Sequence, residues 1–265
     1  MTSSGFEFTH AITRRPAASV VDGLRAVDQG TPELAQMLAD HEHYVATLQE
    51  TGATVIELPA LDAFPDSVFV EDTALCLPEG AVLMRPGAAS RAGEVQAIAP
   101  TLRKYFGEVL EISGPGYIEG GDILFTGREI LVGLSNRTNT AGVAALRKLV
   151  DDWGYTVREV LTPDDVLHFK TDCSLLDART ILSTGRLADS GCFDGYEVIH
   201  TADDEPAAAN TIRFNQFVLM PAGFNETANR LCHAGYQVRE INNTECAKID
   251  GGMSCLSLRF SPPAS

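Results

Sequence analysis

Short runs of alternating apolar and polar residues recur along the chain, each opening just after a glycine: Gly52-ATVIEL, Gly107-EVLEI, Gly154-YTVREV, Gly195-YEVIHT and Gly235-YQVREI. Three of the six tyrosines directly follow one of these glycines, so the echo includes an aromatic position. Alternation with a period of two marks a strand with one buried face. Ahead of most of the glycines, apolar residues at helical spacing predict helices over about 32–50, 90–105, 138–152 and 222–234. Thr31-Pro32 supplies a start signal for the first. A glycine just past a helix takes the left-handed conformation that ends it. The segment before Gly195, LADSGCFD, has little periodicity and predicts the weakest helix.

Between these units lie apparent strand pairs, VFVEDTALCL (68–77) with AVLMR (81–85) and DILFT (122–126) with EILVGL (129–134). The links Glu79-Gly80 and Gly127-Arg128 suit tight hairpins. Read as a strand, the first run puts Asp66, Val68, Val70 and Asp72 on one face and Glu71 on the other. The repeating order is strand, strand, helix, strand. A unit of this size cannot bury its own apolar face, so the units pack on one another, and five can close into a ring with one central site. No Pro/Gly/Ser linker divides the chain, so residues 1–265 read as one domain, with ADDEPAAA (202–209) as an exposed loop.

Composition narrows the function. Hydrophobic residues make up 45% and charged residues 21%, a globular balance. The net charge of -16, from 36 acids against 20 bases, repels nucleic acid and favours a small cationic partner. No apolar run is long enough to cross a membrane, and the opening MTSSGFEFTH lacks the basic and apolar parts of a secretory leader, so a cytoplasmic location is expected. The six cysteines are scattered without a CxxC pair and read as thiols, with no metal site expected. His41 and His43 fall in a polar helix and read as solvated.

Candidate chemistry recurs with the units. About a dozen to twenty residues after each repeat glycine stands a polar group: Asp66 and Asp72, Glu119, His168, Asn210 and Cys255. In a ring these positions converge. Cys255 follows the turn IDGGMS and opens CLSLRF, which places a thiol at a strand end; its alternative is a buried, inert cysteine. A cysteine and a histidine remote in sequence but adjacent in space form a thiol-enzyme pair, with His168 handling protons. Asp66, Glu71, Asp72, Glu119 and Asp122 sit in or beside apolar segments, and buried acids require cationic partners, either side chains or a guanidinium ligand. Arg91 and Arg137 have the two-pronged geometry for a carboxylate.

The segments PDSVFVED, RPGAASR, IEGGDILFTGREILVGLSNRTN, LHFK and IDGGMSC resemble, in that order, the dimethylarginine dimethylaminohydrolases of the guanidino-group-modifying superfamily. The resemblance implies an α/β fold, a five-bladed pseudo-symmetric propeller of ββαβ repeats. It implies Cys255 as nucleophile, His168 as general acid and then base, and Asp72 and Glu119 on the guanidinium. Asp66, Arg91 and Arg137 would take the amino-acid end, with Glu71 lining the same region. Leu24, from a lid, and Ile249 would offer backbone carbonyls. No cofactor is implied, and a homodimer is compatible with the sequence. The implied reaction converts Nω-methylated arginines to citrulline and an amine. Arginine deiminases or dihydrolases are the neighbouring enzymes, typically with an acid two residues after the histidine, where this chain has Lys170. A non-catalytic propeller acting by protein contact is the other class.

Overall fold

The computed structural model describes residues 5–163 and 166–263. Its regular elements are β1 (His10–Arg14), α1 (Leu34–Glu50), β2 (Thr54–Leu58), β3 (Ala74–Cys76), β4 (Ala81–Leu83), α2 (Ala92–Tyr105), β5 (Val109–Glu111), β6 (Ile123–Phe125), β7 (Ile130–Leu134), α3 (Thr140–Val150) and β8 (Val157–Leu161). There follow β9 (Cys173–Leu175), β10 (Thr180–Ser183), α4 (Gly185–Ala188), β11 (Glu197–His200), β12 (Ile212–Phe214), β13 (Phe217–Pro221), α5 (Asn225–His233), β14 (Gln237–Ile241), α6 (Thr244–Ala247) and β15 (Leu258–Phe260).

The strands form five three-stranded sheets, one per repeat, as a five-fold α/β propeller requires. In each, the middle strand runs antiparallel to one neighbour and parallel to the other, as β4 does with β3 and β5 and β7 with β6 and β8. A parallel partner needs a crossover, which the helix between the two strands supplies. One sheet is assembled from both ends of the chain: β1 lies between β15 and β2, with Ile12 opposite Leu258 on one side and Ile56 on the other. That pairing closes the ring, so α1 backs the unit into which the residues around Cys255 lead.

Five 3-10 turns line the hub: Val70–Thr73, Gly120–Asp122, Phe169–Thr171, Pro206–Ala209 and Ser254–Leu256. Each precedes the first strand of a sheet. The turn at Val70–Thr73 touches those at Ser254–Leu256 and Gly120–Asp122, which continues the chain of contacts to Phe169–Thr171 and then Pro206–Ala209. The expected strand through VFVED is therefore a turn, and only Ala74–Cys76 pairs with β4. The alternation that puts Asp66 and Asp72 on one strand face does not apply. Asp122 and Cys255 likewise lie in turns ahead of their strands.

Local signals explain most boundaries. Gly52, Gly154, Gly195 and Gly235 have φ of 89°, 79°, 89° and 92°, the left-handed geometry that L side chains resist. Gly107 departs from this, because α2 ends at Tyr105 and an extended Phe106 closes it. The α1 start falls after Thr31-Pro32: the Glu33 carboxylate accepts from the amides of Ala35 and Gln36. The helix before Gly195 is the single turn α4. Gly127-Arg128 turns between the bonded pair Thr126 and Glu129, while the other hairpin turns on Pro78-Glu79, one residue earlier than expected.

Two surface expectations fail. Ala208 and Ala209 are fully buried, since Pro206–Ala209 is one of the hub turns. His41 is 2% exposed and neither ring nitrogen has a hydrogen-bond partner, so burial pushes its pKa down to about 4. His43 is exposed as expected.

The hub is packed backbone to backbone. A Cβ on Gly120 would sit 2.0 Å from the carbonyl oxygen of Glu71, and one on Gly121 would sit 2.8 Å from both Asp72 Oδ1 and the His168 ring. The EGGD segment therefore has two glycines for close approach. Because a backbone carbonyl cannot rotate away, Gly120→Ala should destabilise the protein by at least the ~1–3 kcal/mol typical of overpacking, read as a lower denaturant midpoint with an unchanged m-value.

Candidate active site

A small cavity sits where the chain enters the hub turns. It is lined by Leu24, Asp66, Phe69, Asp72, Arg91, Arg137, Leu167, His168, Ile249, Asp250 and Cys255. Eight of the ten residues named from sequence border it, drawn from six separate stretches of chain. Its volume is about 30 Å³, room for one or two water molecules.

His168 ends the segment before the turn Phe169–Thr171, and its Nε2 lies 2.7 Å from Glu119 Oε2 and 3.9 Å from Asp72 Oδ1. Burial opposes its charging, yet Asp72, Asp122 and Glu119 together outweigh that and push its pKa up to about 9. Glu119 is fully buried behind it, which also disfavours charge. His168, Arg91 and Arg137 overcome the penalty and hold its carboxyl down at about 2. Its other oxygen accepts from the amides of Gly87 (2.9 Å) and Ala88 (3.4 Å) and from Arg137 Nη1 (3.4 Å). Asp122 braces the histidine turn by accepting from the Phe169 amide (2.8 Å) and the Ser135 hydroxyl (2.7 Å).

Asp72 takes the Gly121 amide at 2.8 Å on one oxygen and pairs with Arg91 through the other. Arg91 is itself buried, and its nitrogens also reach Glu94 (2.7 Å) and the carbonyls of Phe69 (2.8 Å) and Asp66 (3.2 Å). It is committed to protein groups, unlike the free carboxylate clamp expected from sequence. Among the described residues the Arg137 side chain bonds only Glu119, at 3.4 Å, and so keeps donors available. Glu94, three residues past Arg91, was missed in sequence; burial, only partly offset by Arg91, pushes its pKa up to about 7.

Cys255 is buried, with Sγ 3.4 Å from the Gly252 amide and 4.0 Å from Asn210 Nδ2. Burial first, then Glu71 and Asp72, push its thiol up to about 12, against the Gly252 amide and Lys170. At rest the pair is a neutral thiol and a protonated imidazole. The IDGG glycines serve packing here too: a Cβ on Gly252 would fall 2.1 Å from the Asn210 side chain, and one on Gly251 would fall 2.4 Å from the Phe69 ring. Behind the turn, Tyr44 of α1 donates to the Met253 carbonyl at 3.0 Å and shares a 2.7 Å hydrogen bond with Ser257.

Leu24 lines the cavity, and its segment is tied down by two backbone amides. The Leu24 amide donates to Asp66 Oδ1 at 2.9 Å, and the Ala26 amide to Asp250 Oδ2 at 2.6 Å. Leu24 is 40% exposed, consistent with a cover, while Ile249 is buried at the cavity wall. Asp250 escaped sequence reading; its φ of 61°, strained for a non-glycine residue, is the backbone's own mark of it.

Two named residues do not border this cavity: Glu119 lies behind the imidazole, and Glu71 turns the other way. Its side chain leaves this cavity for a second one, of about 100 Å³, lined by the first strands of all five sheets. There it meets Lys170 Nζ and Arg259 Nη2, each at 2.5 Å, and Ser254 Oγ at 2.7 Å. Glu71 does not line the ligand cavity as expected, because its carboxylate is drawn to the buried cations Lys170 and Arg259 on the side of the turn away from Asp72. Among the described residues Asp72, Glu119 and His168 each offer a ligand atom within 4.8 Å of the others, a spacing that could hold a metal ion. Those atoms are already bonded to one another, to Arg91 and to Gly121.

The ring and its hub of thiol, imidazole and carboxylates define an enzyme of the amidinotransferase-type α/β-propeller class. Residues 21–170 match the family described as N,N dimethylarginine dimethylhydrolase, eukaryotic. The N(G),N(G)-dimethylarginine dimethylaminohydrolase of Pseudomonas aeruginosa is 39% identical over 96% of this chain and 100% of its own. A cysteine-to-serine mutant of the Pseudomonas aeruginosa enzyme, solved with citrulline, superposes with a TM-score of 0.94 at 39% identity over 96% of this chain and 100% of that one. A dimethylarginine dimethylaminohydrolase adduct with S-methyl-L-thiocitrulline, in a histidine-to-glycine mutant, gives 0.93 at 38% identity over 96% and 100%. This chain belongs to the dimethylarginine dimethylaminohydrolase family and is a hydrolase of amidine C–N bonds. Among the described residues no helix is long and apolar enough to cross a membrane.

Proposed function

We propose that this protein hydrolyses Nω-methylated arginines, asymmetric dimethylarginine and monomethylarginine, to citrulline and dimethylamine or methylamine through a covalent intermediate on Cys255. The observation that carries the reading is the shared cavity of Cys255, His168 and Asp72, with Glu119 behind the imidazole. Relatives solved with citrulline and as an S-methyl-L-thiocitrulline adduct support the ligand class.

The chemistry follows from charge. A guanidinium is planar, resonance-stabilised and resistant to water. Asp72 and Glu119 fix its plane while the thiol is aimed at its central carbon. With the thiol resting at about 12, its ionisation needs a cation beside it. The substrate head is that cation, so bound substrate favours the thiolate, and the thiol proton is released to solvent water. Sulfur then bonds to the central carbon, His168 gives its proton to the departing amine, and the C–N bond breaks to leave an S-alkylthiouronium. His168 next takes a proton from water, oxygen bonds to the same carbon, the C–S bond breaks and citrulline leaves with the thiol restored. No step requires a metal or cofactor.

Arg137 pairs with the substrate carboxylate, and Arg91 joins it by exchanging a bond to Glu94. Asp66 and the carbonyls of Leu24 and Ile249 take the ammonium. A cavity of about 30 Å³ cannot hold an arginine, so residues 23–30 swing away for entry, releasing their bonds to Asp66 and Asp250. The test is citrulline formation from asymmetric dimethylarginine beside arginine, with mass spectrometry of acid-quenched enzyme. The reading expects preference for the methylated substrate and a mass increase on the Cys255 peptide. A large preference for arginine overturns the substrate assignment.

A further inference from the structure

We propose that Glu71 is a positioning residue, whose carboxylate ties the turn carrying Cys255 to the turn that follows His168 and so sets the aim of sulfur against imidazole. This inference rests on Cys255 and His168 acting as proposed above.

One oxygen of Glu71 accepts from Ser254, the residue before Cys255, at 2.7 Å; the other accepts from Lys170, two residues past His168, at 2.5 Å. The linked residues are 183 and 99 positions away from Glu71 in sequence, so no local chain geometry relates them. Arg259 completes the brace: Nη2 reaches Glu71 at 2.5 Å while Nη1 donates to the Ser254 and Ser257 carbonyls, both at 2.8 Å. Both ends of the cysteine turn are thus gripped from one buried carboxylate. Adjacent Asp72 faces the other cavity, so a single turn locates thiol, imidazole and guanidinium-binding acid together.

Glu71 does nothing to favour the thiolate of Cys255. A negative charge near the thiol opposes ionisation, and a buried carboxylate costs several kcal/mol unless well paired. Glu71 is 2% exposed and carries that penalty, offset by two cations that hold its carboxyl below the usual range despite burial. A buried acid that itself opposes ionisation of the nucleophile is explained by the arrangement it imposes. The same contact accounts for lysine at position 170, where an acid would face Glu71 as a like charge.

Ser254→Ala removes one strut without changing any charge. It should keep the wild-type melting temperature to within a few degrees, lower single-turnover kcat about ten-fold or more, and leave KM within about two-fold. The pH profile of iodoacetamide alkylation should not move, because sulfur keeps its charged neighbours. Ser254→Thr should recover much of the rate. Added to Glu71→Ala, Ser254→Ala should cost nothing further, since the link from Ser254 is already cut. If Glu71→Ala does not accumulate folded, the two serine variants decide. Wild-type kcat in Ser254→Ala, or a loss matched by its unfolded fraction, overturns the positioning role. Cys255→Ser run in parallel separates the claims: if that variant turns over, the covalent reading itself fails, whereas a dead Cys255→Ser beside a normal Ser254→Ala rejects Glu71 alone.

Discussion

Cys255→Ser is expected to fold normally and to lose turnover of asymmetric dimethylarginine by about 10⁴-fold or more, the scale on which removal of a nucleophile acts. The hydroxyl matches the thiol in placement but is a far weaker nucleophile, and no neighbouring base can ionise it, because His168 already holds its proton up to about pH 9. Substrate binding should persist, since the grip on the guanidinium proposed for Asp72 and Glu119 does not involve sulfur. Calorimetric titration of the variant should therefore report affinity near the wild-type KM while citrulline production stays at background. Substantial turnover by the serine variant would exclude catalysis through a bond to sulfur.

Glu119→Gln should move the basic limb of the pH–rate profile to lower pH and cost about 10²–10⁴ in kcat, the usual worth of general acid–base help. Glu119 is the hydrogen-bonded partner of His168 at 2.7 Å, and Asp72 and Asp122 remain as the only acids named beside it. Without that partner the imidazolium loses its proton earlier, so the acid that protonates the leaving amine disappears sooner as pH rises. A basic limb that stays in place would show that Glu119 does not control the His168 proton.

Stability should follow the same pair. The folded pKa of His168 is raised from 6.5 to about 9, so its contribution is complete below pH 6.5 and is lost as pH rises through 9. That of Glu119 is lowered from 4.5 to about 2, so its contribution is present above pH 4.5 and is lost as pH falls toward 2. The stability gap between wild type and Glu119→Gln should be widest between these limits, near pH 4.5 to 6.5, and denaturant midpoints across pH read it directly.

Much of the ring was legible along the chain, because its signals are local. A left-handed glycine, an amphipathic helix and an alternating strand each depend on a few consecutive residues, and four of the five repeat glycines adopt the conformation their position implied. The recurrence of polar groups about a dozen to twenty residues after each glycine also located the hub, since each repeat brings that part of its chain to the ring's centre. Asn210 was flagged that way and proves to contact Cys255. Misreadings cluster where apolar alternation continued into a turn. VFVED has the composition of a strand, but the hub carbonyl of Glu71 must meet Gly120, and only a tight turn brings them together.

Local order and the recurrence of units were thus written in the residues themselves, because both follow from short-range backbone preference and from the need of each unit to cover its apolar face. The direction of individual side chains at the hub was settled by packing across the ring. Alternation along the chain separates Glu71 from Asp72 but names no partner for either, and packing gives Lys170 and Arg259 to the first and His168 and Arg91 to the second. Arg91, which reads as a free clamp, is held by Glu94, and His41, which reads as solvated, lies in the interior. Those outcomes depend on neighbours far away along the chain, and a buried charge has no preferred direction until its partner is in place.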